Sequence, residues 1–295
     1  DTHQIDKNIE RASKILMPLL FVLLVVLVVA SCSLQGAWKG VEFLLKPDFS
    51  KVDPNVMIEA LGQAFFSLSL GTACLCTYAS YFSRQTNLLK TATQIAFLDT
   101  LIAILAGLMI FPAAFSVGVQ PDSGPSLIFI TLPNVFNEAF ASMPVLGWII
   151  SLMFYVLLSV AALTSLMSLH EVNTSFFYEE LKIDRKKGAM IVTVSCAIIG
   201  AFCSLSLGAT DKLSFYGKTL FDWFDFVTGQ LFLPTAGLLT CLFLGWYVPK
   251  KVVQDEFTNW GTLKGKVFNV YLYLIKFVCP VLIFLVFLNQ FGVLG

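Results

Sequence analysis

Seven stretches of this 295-residue chain carry no charged side chain: residues 15–38, 60–83, 100–121, 139–169, 189–210, 226–249 and 277–295. Each is near or above the ~20 residues an α-helix needs to cross the ~30 Å hydrocarbon core of a bilayer. Composition points the same way. Hydrophobic residues make up 57% of the chain and charged ones only 13%, against about 25% charged in soluble domains. No alternating pattern of the ~10-residue barrel type runs through these stretches, so they read as helices, not strands. The expected fold class is therefore an all-α integral membrane protein with seven crossings. Its helices are placed at about 13–34, 56–82, 90–119, 144–181, 186–208, 219–247 and 266–291. The formal net charge is zero, which gives nucleic acid no handle. The seven cysteines (Cys32, Cys74, Cys76, Cys196, Cys203, Cys241 and Cys279) lie in apolar runs without CxxC or Cys/His spacing. They read as packing residues, not as a disulfide framework or a metal site.

Lysines and arginines set the orientation. With the N-terminus of this chain cytoplasmic, the inside segments (1–14, 82–90, 179–188 and 248–266) hold 13 of the 19 basic residues and the outside segments 5. Lys276 lies within the last helix and is counted with neither. The C-terminus is then extracytoplasmic. The first residue is Asp1 and no Met-led signal peptide precedes the first span, so the chain is read as N-terminally truncated.

The second crossing gathers Ser67, Ser69, Gly71 and Thr72 at its middle. Small residues let membrane helices pack closely. They also suit a broken helix, near 69–73, which a membrane tolerates only where protein or a cavity satisfies the freed backbone; the residues alone leave both readings open. Asp99, inside the third hydrophobic stretch, is a costly carboxylate of the kind that marks function. Asp222 and Asp225 share a face near the outer end of the sixth. Glu179 and Glu180 close the long fourth helix. His170 has no second ligand nearby and is assigned no role. Thr164 and Ser165 offer adjacent hydroxyls, which either bond back to their own helix or supply hard oxygen ligands.

Together, the stretches GQAFFSLSLG (62–71), TYASY (77–81), AGLMIFPAAF (106–115), GPSLIFITLPNVF (124–136), AALTSL (161–166), FYEELKIDRK (177–186) and FDWFDF (221–226) resemble the neurotransmitter:sodium symporters, in their bacterial amino-acid-transporting branch. The resemblance runs over nearly the whole chain and implies a partial LeuT-fold bundle, helices five to eleven, with one helix discontinuous. It implies an extracellular re-entrant hairpin at about 124–142 and a single membrane domain over residues 1–295. The first four helices, which carry half of the binding site, would be missing partners from the same protein.

Roles carry over by matching residues. The resemblance makes Phe66 the lid over bound substrate and Ser69 part of the unwound segment beside it. Thr72 lines the side-chain pocket, and Ser165 and Leu169 also approach the substrate. Sodium ligands would be Ser67 and Asp99 at one site, and the Ala161 carbonyl, Thr164 and Ser165 at the second, each site only partly supplied by this chain. Asp225 matches the outer gate acid and Glu179 the inner one, with Tyr81 buttressing the inner pair.

Departures from the family pattern refine this. Thr72 replaces a larger residue, which enlarges the pocket and favours a hydrophobic or aromatic amino acid. Asp99 stands where asparagine is usual, which implies chloride independence. Asn8 stands ten residues before Pro18, where glycine often marks inner unwinding. The function implied is sodium-coupled symport of an amino acid by alternating access, in the bacterial inner (plasma) membrane. No enzyme chemistry is expected, because no nucleophile–base pair is visible. The alternatives are an ion channel or a non-transporting receptor or regulatory subunit. These seven helices alone are expected to be inactive.

Overall fold

The computed structural model describes residues 2–82, 86–118, 132–207, 214–215, 217–261, 265 and 267–291; of residues 2–10, 12 and 214–215 it describes the backbone alone. Helix α1 (Thr2–Cys32) begins well before the expected start at 13 and runs unbroken through Asn8 and Pro18. Charge keeps Lys7 and Arg11 out of hydrocarbon but not out of a helix. There follow α2 (Ala37–Leu45), α3 (Pro54–Ser67), α4 (Cys74–Ser80), α5 (Leu88–Ser116), α6 (Leu132–Ala139), α7 (Pro144–Glu179) and α8 (Arg185–Ser206). A short antiparallel pair, β1 (Ser214–Phe215) and β2 (Lys218–Thr219), leads into α9 (Leu220–Asp225). Then come α10 (Leu233–Leu242), α11 (Lys250–Phe257), α12 (Phe268–Tyr273) and α13 (Cys279–Gln290).

Among the described residues three π-helical turns interrupt the later helices: Phe226–Phe232, Phe243–Tyr247 and Leu274–Val278. They leave α9–α10 as one span, Leu220–Tyr247, and α12–α13 as another, Phe268–Gln290. Among the described residues six helices are long and apolar enough to cross a membrane. Neither α3, with 14 residues, nor α4, with 7, is one of them. Of the expected hairpin at 124–142, residues 124–131 lie outside the described residues, and α6 occupies the rest up to Ala139.

Local chemistry starts the helices. Asp53 Oδ1 accepts from the Val56 amide at 2.8 Å, and Pro54 occupies the first turn of α3, where a missing N–H costs nothing. Thr219 and Asp222 cap each other reciprocally at the start of α9.

Contacts group the chain into two compact units. The first comprises residues 1–49 and 97–168. Its core joins Leu24 and Leu27 of α1, Met109 and Ala113 of α5, Val135 and Phe136 of α6, and Phe154 of α7. In it α2 lies so close to α5 that a Cβ on Gly40 would sit 2.5 Å from the Phe111 carbonyl. The second unit comprises residues 50–96 and 169–295. There α3 packs on α13 and brings Phe65 against Gly237 of α10, while Val253 of α11 is buried against Phe268 and Leu272 of α12.

Candidate functional site

Helix α3 stops at a residue that is not glycine but adopts glycine's conformation. Ser69 has φ 52°, the Ser69 amide donates to the Phe66 carbonyl at 2.9 Å, and the Leu70 amide reaches the Phe65 carbonyl at 3.1 Å. These paired bonds form a Schellman motif, whose left-handed position glycine normally fills. A side chain there costs about 1–2 kcal/mol, so the turn is held against a local preference. Two more left-handed residues follow, Gly71 (φ 88°) and Ala73 (φ 62°), before α4 begins at Cys74. Thr72 ties the two half-helices together. Its hydroxyl donates to the Ser69 carbonyl at 2.8 Å and accepts from the Cys74 amide at 3.4 Å.

The break is wedged against the span Leu220–Tyr247. A Cβ on Gly71 would lie 2.3 Å from the Leu233 carbonyl oxygen, and one on Gly237 would lie 2.4 Å from the Phe65 ring. Two glycines on facing segments thus let the broken backbone and Phe65 approach α10. Neighbouring Phe65 and Phe66 line different cavities. Phe65 borders an apolar one of about 470 Å³ that also touches Ser69, Gly71, Cys241, Cys279 and Val286. Phe66 borders a more polar one of about 300 Å³ together with Glu59, Gln63, Asp225, Gly229 and Gln290. Gly229, in the first π turn, separates Phe66 from Asp225. A Cβ there would be 3.7 Å from the Phe66 ring and 3.9 Å from Asp225 Oδ1.

The remaining candidate residues divide between the units. Phe66, Ser67, Ser69, Thr72, Tyr81, Leu169, Glu179 and Asp225 belong to the second; Asp99, Ala161, Thr164 and Ser165 belong to the first. Within α7 the Thr164 hydroxyl donates to the Ala161 carbonyl at 2.9 Å, so these two oxygens are neighbours. Ser165, on the next residue, is exposed, as is Leu169. Asp99 is half-buried on α5. Glu179, the last residue of α7, borders a shallow pocket with Lys182 and Asp184. His170 bonds through Nε2 to the Thr193 hydroxyl of α8 at 2.9 Å.

Of one cluster the sequence reading named only Tyr81, and not Glu171, Ser175 or Arg185. The Tyr81 hydroxyl, just past α4, donates to Glu171 Oε1 at 3.0 Å and lies 3.1 Å from the Ser175 hydroxyl. Ser175 donates to the same Oε1 at 3.1 Å, and Arg185 at the start of α8 is ion-paired to it. Glu171 is only 5% exposed. A buried carboxylate needs such partners, because an isolated charge is strongly penalised away from water. Glu171 lies two turns before Glu179, and the usable signal was its own position. It shares a face with Ser175 four residues on, just past the charge-free stretch 139–169 of the same helix.

Helical spans crossing an apolar phase, with two half-helices joined by a left-handed break, define a multi-pass membrane protein of the discontinuous-helix class. Within that class the chain belongs to the Sodium:neurotransmitter symporter family, whose model matches residues 3–294. It is 38% identical over 293 residues to YhdH, an uncharacterised sodium-dependent transporter of Bacillus subtilis, covering 99% of this chain and 63% of that protein. A sodium-dependent transporter of Haemophilus influenzae is 37% identical over 285 residues, covering 96% and 60%. Among solved structures, that of MhsT in complex with L-phenylalanine superposes with a TM-score of 0.81 at 40% identity, covering 96% of this chain and 63% of that one. The resemblance read from the motifs, and the all-α membrane fold it implied, are thereby borne out. The chain spans somewhat under two thirds of the length of these relatives.

Proposed function

We infer that the chain forms part of a sodium-coupled amino-acid symporter. The observation that carries this is the break from Ser69 to Ala73, braced by Thr72 and seated on Leu233. Interrupted helices place backbone dipoles at membrane depth, where they meet the charges of an ion and a zwitterionic substrate. In this reading Phe66 covers the substrate, and Ser69, Thr72, Ser165 and Leu169 line its site. Ser67 and Asp99 serve one sodium ion; Ala161, Thr164 and Ser165 serve a second. The remaining ligands come from helices that precede this chain in the same protein. Sodium ordering the break is what couples ion to substrate. The ion gradient supplies the energy, with ~2.3 kcal/mol per charge for each 100 mV of membrane potential.

Asp225 acts as the outer gate acid and Glu179 as the inner one, in a plasma membrane with the chain's N-terminus cytoplasmic. Tyr81 steadies the inner end through Glu171 and Arg185, a contact that would have to loosen when that end opens. The substrate is a hydrophobic or aromatic amino acid. The small side chain of Thr72 and the L-phenylalanine bound by MhsT both favour this. The test is uptake by the complete protein in sealed vesicles. Concentrative accumulation of an amino acid that depends on an inward sodium gradient is expected. Flux that never exceeds equilibration would instead mark a channel, and binding without flux a receptor.

A further inference from the structure

Lys276 is a charge inside an apolar span, and nothing in the transport reading uses it. It sits in the π turn Leu274–Val278 of the span Phe268–Gln290. Its stem packs on the backbone of Gly245 in the facing π turn, where a Cβ would meet Lys276 Cγ at 3.1 Å. The Trp246 indole donates to the Lys276 carbonyl at 3.3 Å, and the Lys276 ammonium lies 5.3 Å from the Trp246 ring centre. Among the described residues no carboxylate lies within ion-pairing distance of it. A lysine at membrane depth turns its head toward the interface, where an anion can meet it.

The surroundings are those of a membrane–water boundary. Trp246, Tyr247 and Tyr273 are 61%, 80% and 59% exposed, as aromatic residues are at headgroup level. Lys250, at the start of α11, holds its ammonium 3.5 Å from the Asn269 amide oxygen and 5.8 Å from the Phe268 ring centre. Asn269, Tyr273 and Lys276 recur at helical spacing, so both lysines attend one face of the span Phe268–Gln290. Lys251 has Asp255 four residues on, and Glu256 lies further along α11; neither acid reaches Lys276 or Lys250.

We propose that this corner, built from Trp246, Tyr247, Lys250, Tyr273 and Lys276, seats the headgroup of an anionic phospholipid. The phosphate lies between the two ammonium groups and the acyl chains run down the exposed apolar flank of Val270, Leu274 and Phe277. Two cations, unpaired by carboxylates and ringed by interfacial aromatics, match a phosphate and not a zwitterion's compensated charge. The assignment is independent of what the protein transports.

Native mass spectrometry of the purified complete protein, titrated with phosphatidylglycerol and separately with phosphatidylcholine, reads the site. Phosphatidylglycerol is expected to be retained in preference. Lys276→Gln and Lys250→Gln should each weaken its retention about fivefold, and Lys276→Arg should retain it. Unaltered retention in both glutamine variants, or equal retention of the two lipids, overturns the proposal. If inorganic phosphate is held as well as the lipid, the site binds a soluble anion and the lipid assignment fails. Should Lys276→Gln not melt cooperatively in phosphatidylcholine, Lys250→Gln, altered at the exposed edge, must still show the fivefold loss.

Discussion

The hydroxyl of Tyr81, one residue past α4, donates to Glu171 Oε1 on α7 at 3.0 Å. That one oxygen also takes Ser175 and Arg185, so the end of α4 is tied to the bend between α7 and α8. Tyr81→Phe removes a donor while keeping the ring and should lower stability by about 1–2 kcal/mol. Glu171→Ala strands Arg185 and should cost about 3–5 kcal/mol. Denaturant unfolding of both variants and of their double mutant checks this; strictly additive losses would mean that the two residues do not act as one unit.

Thr72 and Ser69 should separate in their effects. Thr72→Ala loses the hydroxyl that bridges α3 and α4 and should cost about 1 kcal/mol, which Thr72→Ser should largely restore. Ser69→Gly relieves the left-handed strain but adds freedom to the unfolded chain. Its stability should change by less than about 0.5 kcal/mol in thermal unfolding, since the two effects oppose each other.

The two glycines at α10 should differ in cost. Gly71→Ala meets a backbone carbonyl at 2.3 Å and cannot adopt φ 88° without strain. It should destabilise by about 3 kcal/mol or more. Gly237→Ala meets the tip of the Phe65 ring, which can swing aside into the adjacent cavity, so about 1 kcal/mol is expected. Equal losses would show that side-chain yielding plays no part.

Asp99 should make chloride dispensable. Replacing chloride by gluconate is expected to leave sodium-driven uptake by the complete protein unchanged. In Asp99→Asn, uptake should fall and become chloride-dependent, because the fixed negative charge is gone. A collapse of wild-type uptake in gluconate would remove Asp99 from the sodium site.

Substrate class can be read without flux. In sodium buffer, aromatic and large hydrophobic amino acids should raise the unfolding temperature of the complete protein most, with about 2.7 kcal/mol of stabilisation at a hundredfold excess over Kd. Replacing sodium by potassium should abolish the shift. If glycine or alanine stabilises best, the enlarged pocket at Thr72 is misread.

Much of this molecule follows from its linear order. A charge-free run of about twenty residues has few fates other than a membrane helix, and the motifs around Phe66, Thr164 and Asp225 suffice to mark the family. Residues 67–72 also carry their own signature, since serine, glycine and threonine in succession weaken a helix wherever they occur. What the linear order did not reveal was which backbone positions would bear the strain. Ser69 takes the left-handed cap because the bonds to Phe65 and Phe66 close around it. Gly71 is required because Leu233, far along the chain, presses a carbonyl against it. Nor did it show that Tyr81 would meet Glu171, two turns short of the expected Glu179. A carboxylate in an apolar helix must find partners, and only the packing of α4, α7 and α8 decides which they are. Hydrophobicity is a property of residues and is legible locally; close approach and ion pairing are properties of pairs, and exist only once the chain has folded.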